Sequence, residues 1–159
     1  MSSQVLVIGI GNPDRGDDSV GLHVVRRLAA SVPLGVQVIE TAGDPLALME
    51  RWRDAGHVVL VDAAAPGRHP GRIHRFDAAG DGLPRAIGFR STHAFGLADT
   101  VELARTLGRL PARMTIFAIE AGDVTPGAPL SDAVAASVEP TAARIAAELA
   151  HSGTEGNDA

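Results

Sequence analysis

A three-layer α/β/α sandwich on a mostly parallel five-stranded sheet is the fold this sequence predicts, and three observations predict it. Short apolar runs alternate with segments of helical periodicity through most of the chain. The first and third runs are almost wholly apolar, as strands buried on both faces must be. Neither a repeat nor a long linker interrupts this order, so residues 1–151 read as a single α/β domain and residues 152–159 as a polar tail.

Each element has a local cause. The first strand lies in Gln4-Val-Leu-Val-Ile-Gly-Ile and ends in Gly-Asn, where Gly9 and Gly11 allow a tight turn. After the acids Asp17 and Asp18, Val20, Val24, Leu28 and Val32 repeat at helical spacing, and Pro33 and Gly35 stop that helix. Val36 to Ile39 forms a second strand ending at Glu40. A helix from about Pro45 through Arg53 follows, with Asp44 as its cap and Pro45 in its first turn. His57 to Val61 is a third strand ending at Asp62, and Ala63 to Pro70 is a loop. Gly71 to Phe76 alternates, which suits a strand at or near a sheet edge. Residues from Asp77 to Arg90 form either a flap beside a site or a long connection. Ser91 to Leu97 opens a helix with Leu97, Val101, Ala104 and Leu107 on one face. Arg113 to Ile119 is a fifth strand ending at Glu120. The last helix runs from about Ser131 to His151, with a kink or break expected at Pro140.

The composition narrows the chemistry. The 159 residues carry a formal charge of −5 with basic residues scattered, which argues against nucleic acid as the main partner. The absence of cysteine excludes disulfides, thiolate metal sites and a cysteine nucleophile. No signal peptide or membrane span is visible, so a cytoplasmic location is the expectation. Gly9-Ile-Gly11 after a strand suggests a dinucleotide fold, but the third glycine of that fingerprint falls on Asp14. Two carboxylates beside it would also repel a pyrophosphate.

Open parallel sheets bind ligands outside the carboxyl ends of their strands. Asn12 with the Asp17–Asp18 pair, Glu40, Asp62 and Glu120 all follow strands at that rim. One such acid is usually a cap or a turn residue, and capping is the plain reading of Asp17 and Asp18: one caps, the other is solvated. Several on one edge, with a histidine close by, point to a metal or acid–base site. Among the six histidines, His93 precedes a helix, whose dipole favours the neutral imidazole that a metal needs. The residues alone leave His93 open between ligand and bystander.

The Gly-x-Gly-Asn-x4-Asp-Asp-x-x-Gly pattern of Gly9 to Gly21 resembles the N-terminal signature of the hydrogenase maturation endopeptidases, which trim the large subunit of nickel–iron hydrogenases. Two further contexts agree: Val59-Leu-Val-Asp-Ala63 and Thr92-His-Ala-Phe-Gly-Leu97. The resemblance implies that Asp18, Asp62 and His93 are the metal-contacting and catalytic residues. It implies further that the nickel comes with the substrate and that no organic cofactor is used. The implied partner is the precursor of a hydrogenase large subunit, with neither nucleic acid nor membrane involved; a monomer is the default expectation. Two departures stand out. Glu40-Thr-Ala-Gly43 occupies the place where the family usually has Asp followed by Gly-Gly or Gly-Thr, and Glu40, the longer carboxylate, is expected to orient substrate there. Pro13-Asp-Arg replaces more apolar residues in the signature, a contact zone suited to a particular partner. Asn12 is expected to hold the turn, Asp17 to cap, and Glu120 to be a bystander. Ser19, Ser91 and Thr92 lie outside any nucleophile-elbow sequence, and His-Glu-x-x-His is missing, which fits a protease that borrows its substrate's metal. The alternative is a nickel-binding assembly chaperone without hydrolytic activity.

Overall fold

The computed structural model describes residues 4–80 and 96–156. In chain order the elements are β1 (Val5–Ile10), a 3-10 turn (Gly16–Ser19), α1 (Val20–Ala29), β2 (Val36–Thr41), α2 (Pro45–Arg51), β3 (His57–Ala64), β4 (Ile73–Asp77), α3 (Leu97–Thr106), β5 (Arg113–Glu120) and α4 (Asp132–Gly156). The five strands form one sheet in the order β2-β1-β3-β5-β4. All neighbours are parallel except β4, which runs antiparallel to β5 at the edge its alternating sequence predicted.

Helices cover both faces, giving the three layers expected. On one face Val7, Val59, Val61, Phe117 and Ile119 pack against Val20, Val24 and Leu28 of α1 and Val134, Ile145 and Leu149 of α4. On the other, Leu6, Ile8, Val58, Leu60 and Ile116 meet Leu48 and Met49 of α2 and Val101 and Ala104 of α3. Burying each of the larger side chains among these contributes about 1.5–3 kcal/mol. At the amino-terminal rim the buried Trp52 ends α2, and its indole N–H donates to the Arg109 carbonyl at 2.9 Å, joining α2 to the connection between α3 and β5. Asp44 caps α2 as expected, its carboxylate accepting the Ala47 N–H at 2.9 Å.

Two helical expectations change. α4 is one unbroken helix through Pro140, so of the kink or break expected there the break does not occur, and the Thr141 hydroxyl donates to the Ser137 carbonyl at 2.7 Å, beside the turn where the proline has no N–H. It also extends to Gly156, past His151, so part of the predicted polar tail is helical. No helix among the described residues is long and apolar enough to cross a membrane.

His57, at the start of β3, is buried with Nε2 3.1 Å from the Thr115 hydroxyl. Burial lowers its pKa first and Arg113 second. Arg75 adds to this, while Glu148 and Asp77 oppose it. A lowered pKa means that the unfolded chain binds the proton more readily, so stability should fall as pH drops below about 6.5. His23 on α1 shifts the same way, through partial burial and then Arg26, so it adds to the slope. The expected result is that His57→Gln flattens, without abolishing, the loss of urea stability between pH 7.5 and pH 5.5. Parallel slopes for the two proteins would remove His57 from the account.

Candidate active site

The signature turn is built by its own backbone and by a second loop. Gly11 N–H extends the β1–β2 pairing to the Thr41 carbonyl at 3.1 Å, and the chain then leaves the sheet. Asn12 is exposed, and its side-chain oxygen accepts the Asp14 N–H at 2.9 Å, so it holds the turn as expected. Gly16 has φ +55°, and a Cβ there would lie 2.4 Å from the Asp123 carbonyl oxygen. Gly127 N–H donates to the Asp14 carbonyl at 2.7 Å, and Asp17 N–H to the Asp123 carbonyl at 2.8 Å. The β5–α4 connection therefore braces the whole turn.

Both acids of the pair are buried, Asp17 at 0 % and Asp18 at 2 % exposure, so the cap-plus-solvated reading is corrected. Ser19 occupies the N-cap of α1 without a side-chain cap bond. Asp17 instead turns towards the bracing loop. Its Oδ2 accepts the Gly122 and Asp123 N–H groups, both at 2.8 Å, and the Ser131 hydroxyl at 2.7 Å; its Oδ1 accepts the Ser131 N–H at 2.7 Å. The donors that a helix N-terminus would have offered come from a different part of the chain.

Asp18 lies in the 3-10 turn, which packs against β3. Gly21 makes that approach possible: a Cβ on it would stand 2.3 Å from the Val61 carbonyl oxygen and 2.6 Å from that of Ile10. The first turn of α1 is thus seated on β1 and β3 where Asp62 follows. Asp62 lies inside β3, which runs on to Ala64, and is 1 % exposed; its Oδ1 accepts the Ala63 N–H at 2.8 Å. Val59 and Val61 face α1 and α4, whereas Val58 and Leu60 face α2 and α3, so alternation puts Asp62 on the second face. α3 ends at the amino rim beside Trp52, so its first residue, Leu97, starts at the carboxyl rim on the face of Asp62. His93 lies outside the described residues. Among the described residues, no group of three or more His, Asp or Glu side chains is arranged to hold a metal ion.

The other two rim acids have tasks that sequence reasoning missed. Glu40 alternates with Val36 and Val38, onto the α1–α4 face and away from Asp62. Arg26 of α1 grips it from two nitrogens, at 2.8 and 3.0 Å, and this lowers the Glu40 pKa. Glu120 ties the loop before β4 to the sheet. Its Oε2 accepts the His69 N–H, and its Oε1 lies 3.8 Å from His74 Nε2. In the sequence, alternation about Glu40 and about His74 carried the facing information.

Residues 22–148 match the family model described as hydrogenase maturation protease. The chain belongs to the hydrogenase maturation protease family. As a member it is an endopeptidase, and relatives along nearly its whole length agree. It is 29% identical over 157 residues to a hydrogenase expression/formation protein of Rhodobacter capsulatus, covering 96% of this chain and 74% of that one. It is 25% identical over 156 residues to the hydrogenase 2 maturation protease of Escherichia coli, covering 96% and 94%. Among solved structures, the hydrogenase maturating endopeptidase of Escherichia coli superposes with a TM-score of 0.74 at 25% identity, covering 94% of each chain. A nickel–iron hydrogenase maturation protease of Thermococcus kodakarensis gives 0.70 at 29%, covering 92% of this chain and 98% of that one. The maturation protease thus shares the overall fold of these solved structures.

Proposed function

We propose that this maturation protease removes the C-terminal extension of the precursor of a nickel–iron hydrogenase large subunit, in the cytoplasm, using the substrate's nickel for recognition. The observation that carries the reading is two buried carboxylates, Asp18 and Asp62, at one rim of a sheet and fastened there by a braced turn. Carboxylate and imidazole donors suit a divalent borderline metal, and a three-residue set leaves positions for substrate ligands. Asp18, Asp62 and His93 contact the nickel that the precursor brings. Burial strengthens the attraction of the two carboxylates for a cation, because little water screens it. Nickel held there would supply Lewis-acid polarisation of the scissile carbonyl or of a water.

The test is to incubate the protein with precursor loaded with nickel and with precursor free of metal, and to weigh the products. The loaded precursor should lose a C-terminal peptide, and the metal-free precursor should stay intact. Equal cleavage of both would remove nickel from recognition. Binding of the loaded precursor without any mass loss would make the chain an assembly chaperone instead.

A further inference from the structure

The His74 imidazole stands on the same face of the sheet as Asp62. In the pairing of β3 with β5, Asp62 lies opposite Ala118; in the pairing of β5 with β4, Ala118 lies opposite His74. Residues paired across a sheet point to one face, so Asp62 and His74 flank the Ala118 methyl, two strands and about 10 Å apart. Phe76, two residues along β4, packs on the α2–α3 core and lies parallel to the His74 ring, at 6° and 6.3 Å between centroids, which fixes the same direction for His74.

Glu120 lies beside this imidazole on the carboxyl side. It lies two residues beyond Ala118 on β5 and therefore shares its face. Its carboxylate is anchored by the His69 N–H and faces His74 Nε2 at 3.8 Å. The backbone around it is stitched to the loop before β4: Gly71 N–H donates to the Glu120 carbonyl at 2.8 Å, and Glu120 N–H to the Arg72 carbonyl at 2.9 Å. Among the described residues, Glu120 alone faces a ring nitrogen of His74, through Nε2. The His74 side chain is 23 % exposed, on the edge strand of the sheet.

We propose that His74, oriented by Glu120, contacts the substrate, with Nδ1 hydrogen-bonding the peptide backbone of the segment to be cleaved. This rests on the protease reading given above. An extended peptide is the occupant that fits, since it must pass the carboxylates at one point and continue along the rim. An imidazole two strands from Asp62 meets it about three residues away, at about 3.3 Å per residue. Glu120 is a positioning residue, acting through the direction it gives the ring.

The experiment measures both cleavage kinetics and the Kd for nickel-loaded precursor. His74→Ala and His74→Gln should raise KM and Kd about fivefold or more while kcat stays within about twofold. His74→Asn, which keeps a polar atom near the Nδ1 position, should restore most of the affinity. Glu120→Gln should shift KM in the same direction by less. Unchanged KM and Kd in His74→Ala, or Asn and Gln variants that behave alike and follow Tm, would overturn the proposal, as would a fall in kcat alone. A wild-type protein that binds without cutting would sink the protease reading and leave Kd to judge His74. A protein that does neither would sink both.

Discussion

Asp18→Asn and Asp62→Asn should each cut precursor cleavage by at least about a hundredfold, or about 2.7 kcal/mol of transition-state stabilisation, while the protein stays folded. The substitution keeps shape and removes charge. In Asp62→Asn the amide oxygen still accepts the Ala63 N–H, so the strand keeps its local bond. Both side chains are nearly inaccessible and asparagine keeps their volume, so a melting curve for each variant tells lost chemistry from lost folding. What goes is the attraction for a divalent ion. Glu40→Gln is the control, because it neutralises an acid on the same rim whose side chain points to the opposite face. Its pair with Arg26 is exposed, so the change should cost less than about 1 kcal/mol of stability. Cleavage by Glu40→Gln should stay within about threefold of wild type. Mass spectrometry of the product over time, with a melting curve for each variant, decides the matter. A Glu40 variant as inactive as the two asparagine variants would mean that alternation does not sort these acids.

The contrast between Asp62 and Glu40 also marks what the sequence could disclose. Strand order of apolar and helical segments was enough to place every acid at the carboxyl rim, and the edge position of β4 followed from its alternation. Rim position is a property of chain direction, which periodicity reveals. Facing depends on register and parity, and Glu40 and Asp62 differ by one step across the sheet: Glu40 pairs with Gly9, and Gly9 with Val61, the residue before Asp62. The fate of Asp17 was hidden for another reason. Its donors, at Gly122, Asp123 and Ser131, lie more than a hundred residues away, and backbone N–H groups have no signature in a sequence. His93 lies outside the described residues, and its place in the proposed site rests on the helix it precedes and on the resemblance carried by Thr92-His-Ala-Phe-Gly-Leu97.

Asp17→Ala should destabilise the protein by about 3–5 kcal/mol, with loss of cleavage following from loss of the folded rim. The carboxylate takes four hydrogen bonds at 2.7–2.8 Å, three of them on Oδ2. Hydrogen bonds to a charged acceptor contribute about 1.5–3 kcal/mol each. The sum is reduced because Gly122 and Asp123 are exposed, so water can reach part of the vacated site. Alanine leaves the backbone bonds from Asp17 to Asp123 and from Gly127 to Asp14 to hold the turn without its buried anchor. Asp17→Asn tests the same point more finely. Its oxygen can replace Oδ2 and keep three donors, but its NH2 then meets the Ser131 N–H, so about 1–3 kcal/mol should be lost. A cap on α1 would behave differently, because asparagine is as good a cap as aspartate and alanine would cost only about 1 kcal/mol. Urea midpoints for the three proteins therefore separate the two roles: the clasp requires a graded series with a large alanine effect, and near equality of wild type and Asp17→Asn would return Asp17 to its own helix.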